Sequence, residues 1–148
     1  MIAIGCDHGG FKLKEEIKRY LEETGIEFED VGTYSEESVN YPDYAEKVAK
    51  EVQSKKAELG ILVCRSGIGM SIVANKFKGI RCAPCYQETT AKFARMHNNA
   101  NVLALGADYV TVNEAICIIR MFIATPFEAG RHEIRVNMIG EIENETMK

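Results

Sequence analysis

Cys64 ends the apolar run Leu59-Gly60-Ile61-Leu62-Val63 and is followed at once by Arg65-Ser66-Gly67-Ile68-Gly69-Met70-Ser71, a small-residue turn that opens a helix. A thiol between the C-terminal end of a buried strand and a helix N-terminus sits where the positive end of the helix dipole favours thiolate. The glycines let backbone N–H groups approach an oxygen closely. A base beside an oxyanion cradle is equipment for moving a proton next to a carbonyl. The competing reading of Cys64 is a small buried core thiol, and position alone leaves both open. Cys6, Cys82 and Cys117 carry only the core reading.

Other groups of residues suggest chemistry that their context removes. Gly67-Ile68-Gly69 is half of a dinucleotide fingerprint, but the third glycine position is Ile72 and no acidic ribose ligand supports it. A Walker loop is absent, and a phosphatase loop would need Arg where Met70 stands. The cradle is therefore expected to bind a substrate oxygen directly, with no cofactor. Cys82-Ala83-Pro84-Cys85 has the form of a redox CxxC, yet its first half reads as strand, where residues three apart face opposite ways. His8, His97 and His132 lack short-range metal spacing and no acidic cluster accompanies them, so no metal is expected. A histidine tuned near neutrality as acid or base is more natural, and His132 reads as a surface or helix-cap residue. Arg131 and Arg135 lie i, i+4 on the last helix, hence on one face, as a phosphate clamp or as a solvated face paired with Glu128 or Glu133.

Strand and helix signals alternate from end to end. Met1 to Cys6 reads as a first strand, Phe11 to Glu23 as an amphipathic helix stopped by Gly25, and Phe28 to Gly32 as a more polar, edge-like strand. Asn40-Tyr41-Pro42-Asp43 opens a helix to about Lys55, with Pro42 in its first turn. After the strand before Cys64 come a helix from Ile68 to Phe77, a strand Ile80-Arg81-Cys82-Ala83, and a helix from Gln87 to Met96. Val102-Leu103-Ala104-Leu105 is the fifth strand, followed by a helix from Val112 to Phe122 and a last helix from about Phe127. Such βα repetition with short connections implies one domain over residues 1–148: a Rossmann-like three-layer α/β sandwich with a five-stranded parallel sheet and a C-terminal helix. Ligands of such sheets bind outside the C-terminal strand edge. Asp7-His8 and Cys64 to Ser71 share that edge; His97-Asn98-Asn99 follows a helix and does not.

The totals exclude several classes. A net charge of −4 gives no electrostatic case for nucleic acid or an anionic membrane. No apolar run approaches a membrane span, and Met1-Ile2-Ala3-Ile4-Gly5 lacks the basic start of a signal peptide. An odd number of cysteines, five, mostly in apolar runs, points to reduced thiols in a cytoplasm.

Six segments, in order, are similar to the ribose-5-phosphate isomerase type B family, which includes the galactose-6-phosphate isomerase subunits. They are Gly5-Cys6-Asp7-His8-Gly9-Gly10-Phe11; Asn40-Tyr41-Pro42-Asp43-Tyr44-Ala45; Cys64 through Lys76; Lys78-Gly79-Ile80-Arg81; His97-Asn98-Asn99-Ala100-Asn101-Val102-Leu103; and Gly130-Arg131-His132 with Arg135. The resemblance implies a metal-free aldose–ketose isomerase that interconverts ribose 5-phosphate and ribulose 5-phosphate in the pentose phosphate pathway. It implies that Cys64 carries the proton between C1 and C2 through a cis-enediolate, that Ser66 hydrogen-bonds near the thiol or the sugar, and that amides of Gly67, Ile68, Gly69, Met70 and Ser71 hold the oxyanion. It further implies that His97 and Asp7 open the furanose ring, that Tyr41 and Asn98 line the sugar, and that His8, Arg131 and Arg135 take the phosphate. Family members form homodimers, often paired into tetramers, with each site completed by the partner subunit. One branch uses Glu as base a few residues on; that position is Met70 here, so the chain resembles the cysteine branch.

Two positions depart from the family pattern. Arg65 stands where Gly usually follows the Cys, and Asp108 stands where many members have a phosphate-binding Arg. Arg65 either replaces the lost charge or points away into a surface pair. The rival reading within the family is a six-carbon substrate, allose or galactose 6-phosphate. Outside it stand a non-catalytic sugar-phosphate sensor, which intact Cys64, Asp7 and His97 count against, and a thiol oxidoreductase.

Overall fold

The computed structural model describes residues 1–147. Three strands carry the centre: β1 (Ile2–Cys6), β3 (Leu59–Cys64) and β5 (Val102–Gly106). Their residues are buried on both faces, apart from a half-buried Leu59, which is why they read as continuous apolar runs rather than alternating ones. The short strands β2 (Phe28–Asp30) and β4 (Cys82–Pro84) close the edges, giving the order β2-β1-β3-β5-β4 with every pairing parallel.

Helices cover both faces. On one side α1 (Phe11–Glu23), α4 (Glu88–Asn98) and α5 (Val112–Ala124) pack over Ile2, Ile4, Ile61, Val63, Leu103 and Leu105. On the other, α2 (Tyr41–Gln53) and α3 (Ile68–Ala74) cover Ala3, Leu62, Val102 and Ala104. The last helix, α6 (Arg131–Thr146), packs against α4 and buries only His132 and Val136. Local signals agree with these ends. Gly25 takes φ +72 just past α1, Pro42 lies in the first turn of α2, and Thr111 with Glu114 forms a reciprocal capping box on α5.

Several boundaries differ from the sequence expectation. α3 stops at Ala74, not Phe77, because Asn75, Lys76 and Phe77 close the helix in a turn: Lys76 donates to the Val73 carbonyl and Phe77 to that of Ala74. The fourth strand starts at Cys82, because the Arg81 amide is taken by the Asn101 side chain. α4 runs on to Asn98, and α6 begins at Arg131, since Ala129 and Gly130 adopt positive φ and break any helix from Phe127. No helix among the described residues is long and apolar enough to cross a membrane.

The strand order reverses between β1 and β3, and the helices that follow them in the chain start on opposite faces. That topological switch point opens a crevice at the C-terminal ends of these two strands. Cys6 pairs with Val63, so Asp7 and Cys64 leave the sheet side by side, and the Asp7 amide donates to the Val63 carbonyl at 3.2 Å.

Candidate active site

At this switch point Asp7, His8, Tyr41, Cys64, Arg65, Ser66 and Gly69 line an open cleft of about 250 Å³. Cys64 is 6% exposed, with its sulfur turned under the following loop. There Gly67, at φ +80, aims its amide back at the Cys64 Sγ at 3.2 Å. The loop tolerates no side chain at this point: a Cβ on Gly67 would meet the Leu105 carbonyl carbon at 3.1 Å in a backbone conformation L-residues rarely adopt. Close approach recurs beneath it, where a Cβ on Gly106 would lie 2.6 Å from the Ser66 carbonyl oxygen.

The expected cradle over Gly67 to Ser71 is narrower than the sequence suggested. The Gly67 amide serves Cys64, the Ile68 amide donates to Ser66 Oγ at 3.2 Å, and the Ser71 amide donates to the Gly67 carbonyl. Two first-turn amides of α3, those of Gly69 and Met70, keep no protein acceptor, as helix geometry requires of an N-terminus. Gly69 lies under the Tyr41 ring, whose nearest carbon would be 2.7 Å from a Cβ there.

Across the cleft, Asp7 is 8% exposed and accepts the Gly10 amide at 3.1 Å, which fixes its carboxylate at the start of a one-turn 3-10 segment. His8 Nδ1 accepts the Val39 amide at 3.1 Å. A backbone amide can only donate, so Nδ1 acts here as the acceptor and Nε2 is left as the ring's donor. Arg65 lies along Gly9 and pairs with Asp108 at 3.9 Å, both side chains being exposed. It lines the Cys64 cleft and an adjoining recess with His8, Gly9, Lys12 and Glu36.

Tyr86 was invisible as a site residue in the sequence. It follows edge strand β4, and its hydroxyl donates to the Ser66 carbonyl at 2.5 Å while its ring meets Tyr109 edge-on. The only signal was its place beyond a strand's C-terminal end. Cys82 and Cys85 belong to the cores on opposite faces of the sheet, and burial pushes the Cys82 thiol up to about 12 and the Cys85 thiol also upward. The paired geometry of a redox CxxC is therefore absent. Burial likewise raises Cys6 to about 12, so it sits in the core as read.

His97, Asn98, Arg131 and Arg135 do not line this cleft within one chain. His97 and Asn98 end α4 ahead of β5, at the opposite edge of the sheet, and Arg131 and Arg135 stand exposed on the first turns of α6. His132 is not a surface residue: it is 8% exposed and stacks on His97 with ring centroids 4.2 Å apart. Burial holds its imidazole below the ordinary value, His97, Arg131 and Arg135 act in the same direction, and Glu128 opposes them. His97, Glu128 and His132 bring one ligand atom each within 4.8 Å of one another, a set that linear spacing hides because it spans three segments.

The comparisons with known proteins bear on the whole chain. A family described as ribose/galactose isomerase matches residues 2–139. Ribose-5-phosphate isomerase B of Escherichia coli is 46% identical over 142 residues, covering 96% of this chain and 95% of the relative. The solved structure of Clostridium thermocellum ribose-5-phosphate isomerase B superposes with a TM-score of 0.96 at 46% identity, covering 97% of each chain. That of the Mycoplasma genitalium enzyme, with bound ribulose-5-phosphate, gives 0.93 at 41% identity, covering 98% of this chain and 97% of the other. The chain is an isomerase and belongs to the ribose/galactose isomerase family.

Proposed function

We propose that the chain interconverts ribose 5-phosphate and ribulose 5-phosphate, with Cys64 as the base that shuttles a proton between C1 and C2 through a cis-enediolate. The observation that carries this reading is the Cys64 sulfur at the switch point, held by the Gly67 amide and flanked by the unpaired amides of Gly69 and Met70. A thiolate there removes the proton alpha to the carbonyl, and the negative charge that develops on the carbonyl oxygen falls to those two amides. Such preorganised donors supply a large share of catalysis because they need no reorganisation when charge appears. Ser66 positions the turn through its hydroxyl and carbonyl. Tyr41 forms a wall for the sugar, Asp7 takes the ring hydroxyl proton, and the His8 Nε2–H reaches for the phosphate with Arg65 beside it.

The rest of the site comes from a second copy. In this reading His97 of the partner subunit protonates the ring oxygen, and Asn98, Arg131 and Arg135 of the partner subunit line the sugar and clamp the phosphate. Two features support a homodimer, with a tetramer as its further assembly. The cleft lacks these four side chains, and α6 exposes Ile134, Met138 and Ile142 at helical spacing, an apolar stripe that water does not favour. Five free thiols suit a reducing cytoplasm. A six-carbon aldose or its 6-phosphate, allose or galactose 6-phosphate, is the second reading, favoured by Asp108 drawing charge from Arg65. A panel of pentose and hexose phosphates on the purified chain decides: turnover highest with ribose 5-phosphate supports the first, and turnover only with a hexose overturns it.

A further inference from the structure

The peptide group that joins Ser66 to Gly67 is held at both of its ends. Its N–H belongs to Gly67 and donates to the Cys64 sulfur at 3.2 Å. Its carbonyl belongs to Ser66 and accepts the Tyr86 hydroxyl at 2.5 Å. The bond is trans, so the two groups point in opposite directions, and Tyr86 and Cys64 lie at opposite poles of one dipole. Tyr86 comes from the far side of β5: β4 and β3 are two strand spacings apart, about 9–10 Å. The Cys85 amide donates to the Ala104 carbonyl at 3.1 Å and so delivers residue 86 just past the strand edge. From there a tyrosine is long enough to reach the Ser66 carbonyl where it lies against Gly106, and a serine or threonine is not. Tyr109 steadies the ring edge-on, with centroids 5.9 Å apart, and its own amide is tied to the Gly106 carbonyl at 3.0 Å.

We infer that Tyr86 is a positioning residue for the Cys64 thiol, acting through the Ser66–Gly67 peptide. A hydroxyl that donates to an amide carbonyl draws electron density towards the oxygen and makes the N–H of the same amide a better donor, the mutual strengthening of hydrogen bonds in a chain. The contact also fixes the peptide plane, so the N–H stays aimed at the sulfur. That sulfur bears a negative charge as thiolate and none as thiol, so a strengthened and fixed N–H favours the thiolate. Burial first, and then the charge of Cys64, push the Tyr86 hydroxyl upward, so it keeps its proton and remains the donor. With Cys64 as the base proposed above, on which this role rests, a larger thiolate fraction speeds the proton transfer while leaving the sugar's contacts unchanged.

The test is Tyr86→Phe in the full chain, which deletes the hydroxyl and keeps the ring against Tyr109. Asp7, His8 and Arg65, which share the cleft with Cys64, are the same in both chains, so the difference between them isolates the hydroxyl. Iodoacetamide labelling of Cys64, followed by the mass of its peptide, should slow by about twofold or more near pH 7 and match the parent near pH 10, above the ordinary thiol range. In parallel, kcat for ribose 5-phosphate should fall by about fivefold or more, the scale of one hydrogen bond, with KM changed by less than about twofold. Labelling unchanged near pH 7, or slowed equally at both pH values as a change of access would do, overturns the role of Tyr86. A raised KM with kcat held overturns it as well, by setting Tyr86 against the sugar instead. The labelling needs no turnover, so it answers separately from the identity of the base: labelling slowed only near pH 7 with kcat unchanged would uphold the role of Tyr86 and remove Cys64 from the proton transfer.

Discussion

Asp108→Asn isolates the pair that Arg65 and Asp108 form beside the cleft. Arg65 Nη1 and Asp108 Oδ1 are 3.9 Å apart, with side chains 65% and 54% exposed. Two unit charges at that distance in water attract by about 1 kcal/mol, and measured exposed pairs contribute about 0.2–1 kcal/mol. Losing the pair should therefore leave stability within about 1 kcal/mol of the parent. The turn itself is held by the backbone, since the Ala107 amide donates to the Cys64 carbonyl at 2.8 Å and the Asp108 amide to that of Arg65 at 3.0 Å. What changes is the charge Arg65 presents to the recess it shares with His8 and Lys12. Freed from Asp108, it should lower KM for ribose 5-phosphate by up to about fivefold, the equivalent of about 1 kcal/mol. Arg65→Gly should raise that KM by about tenfold or more, the scale of one lost charge-assisted contact. Steady-state kinetics on phosphorylated and unphosphorylated ribose, for both single variants and the double, form the assay. The unphosphorylated sugar should not respond, and the double variant should reveal the coupling. No KM change for the phosphate ester in either single variant, or equal changes for both sugars, would refute a role for Arg65 in holding the phosphate.

Gly69→Ala replaces a poor helix former with the best one, so the melting temperature should hold or rise. Its Cβ, built 2.7 Å from the Tyr41 ring, should push that wall aside and raise KM; unchanged KM would remove Tyr41 from the sugar site. Asp30 accepts a hydrogen bond from the fully buried Lys14 and forms an ion pair with Lys18; burial alone would raise its carboxyl, but these contacts hold it below the usual carboxylate range. Its stabilising contribution is therefore complete above a pH of about 4 and drains as pH falls through the lower folded value, because the unfolded chain takes up the proton first. Asp30→Asn should cost about 3 kcal/mol in urea denaturation at neutral pH by stranding Lys14, with the gap narrowing in acid; a gap independent of pH would contradict this. Treatment of the metal-free chain with a chelator should leave isomerisation unchanged, and activity that requires added divalent metal would replace proton transfer with a metal-assisted hydride shift.

The sheet was readable because β1, β3 and β5 are buried on both faces, so their apolar runs carry no competing period. Edge strand β4 was misplaced because Arg81 is claimed by Asn101 rather than by the ladder, a long-range contact that local pattern does not encode. The near half of the site was legible for a related reason: Asp7 and Cys64 each end a strand that the topology sets side by side. The spent and unspent amides of the cradle depended on the αL turn at Gly67, which spacing does not specify. Tyr86 was hidden because its partner Ser66 lies far along the chain, and the cluster because His97 lies far from the neighbouring Glu128 and His132.

The central claim is that Cys64 carries the proton, and the turnover of Cys64→Ala tests it most directly. Cys64 is 6% exposed and its sulfur accepts one amide, so its removal leaves a small gap and the fold intact. With substrate binding retained, turnover of ribose 5-phosphate should fall by about three orders of magnitude or more, as for loss of a positioned base. Turnover near that of the parent enzyme would contradict the account.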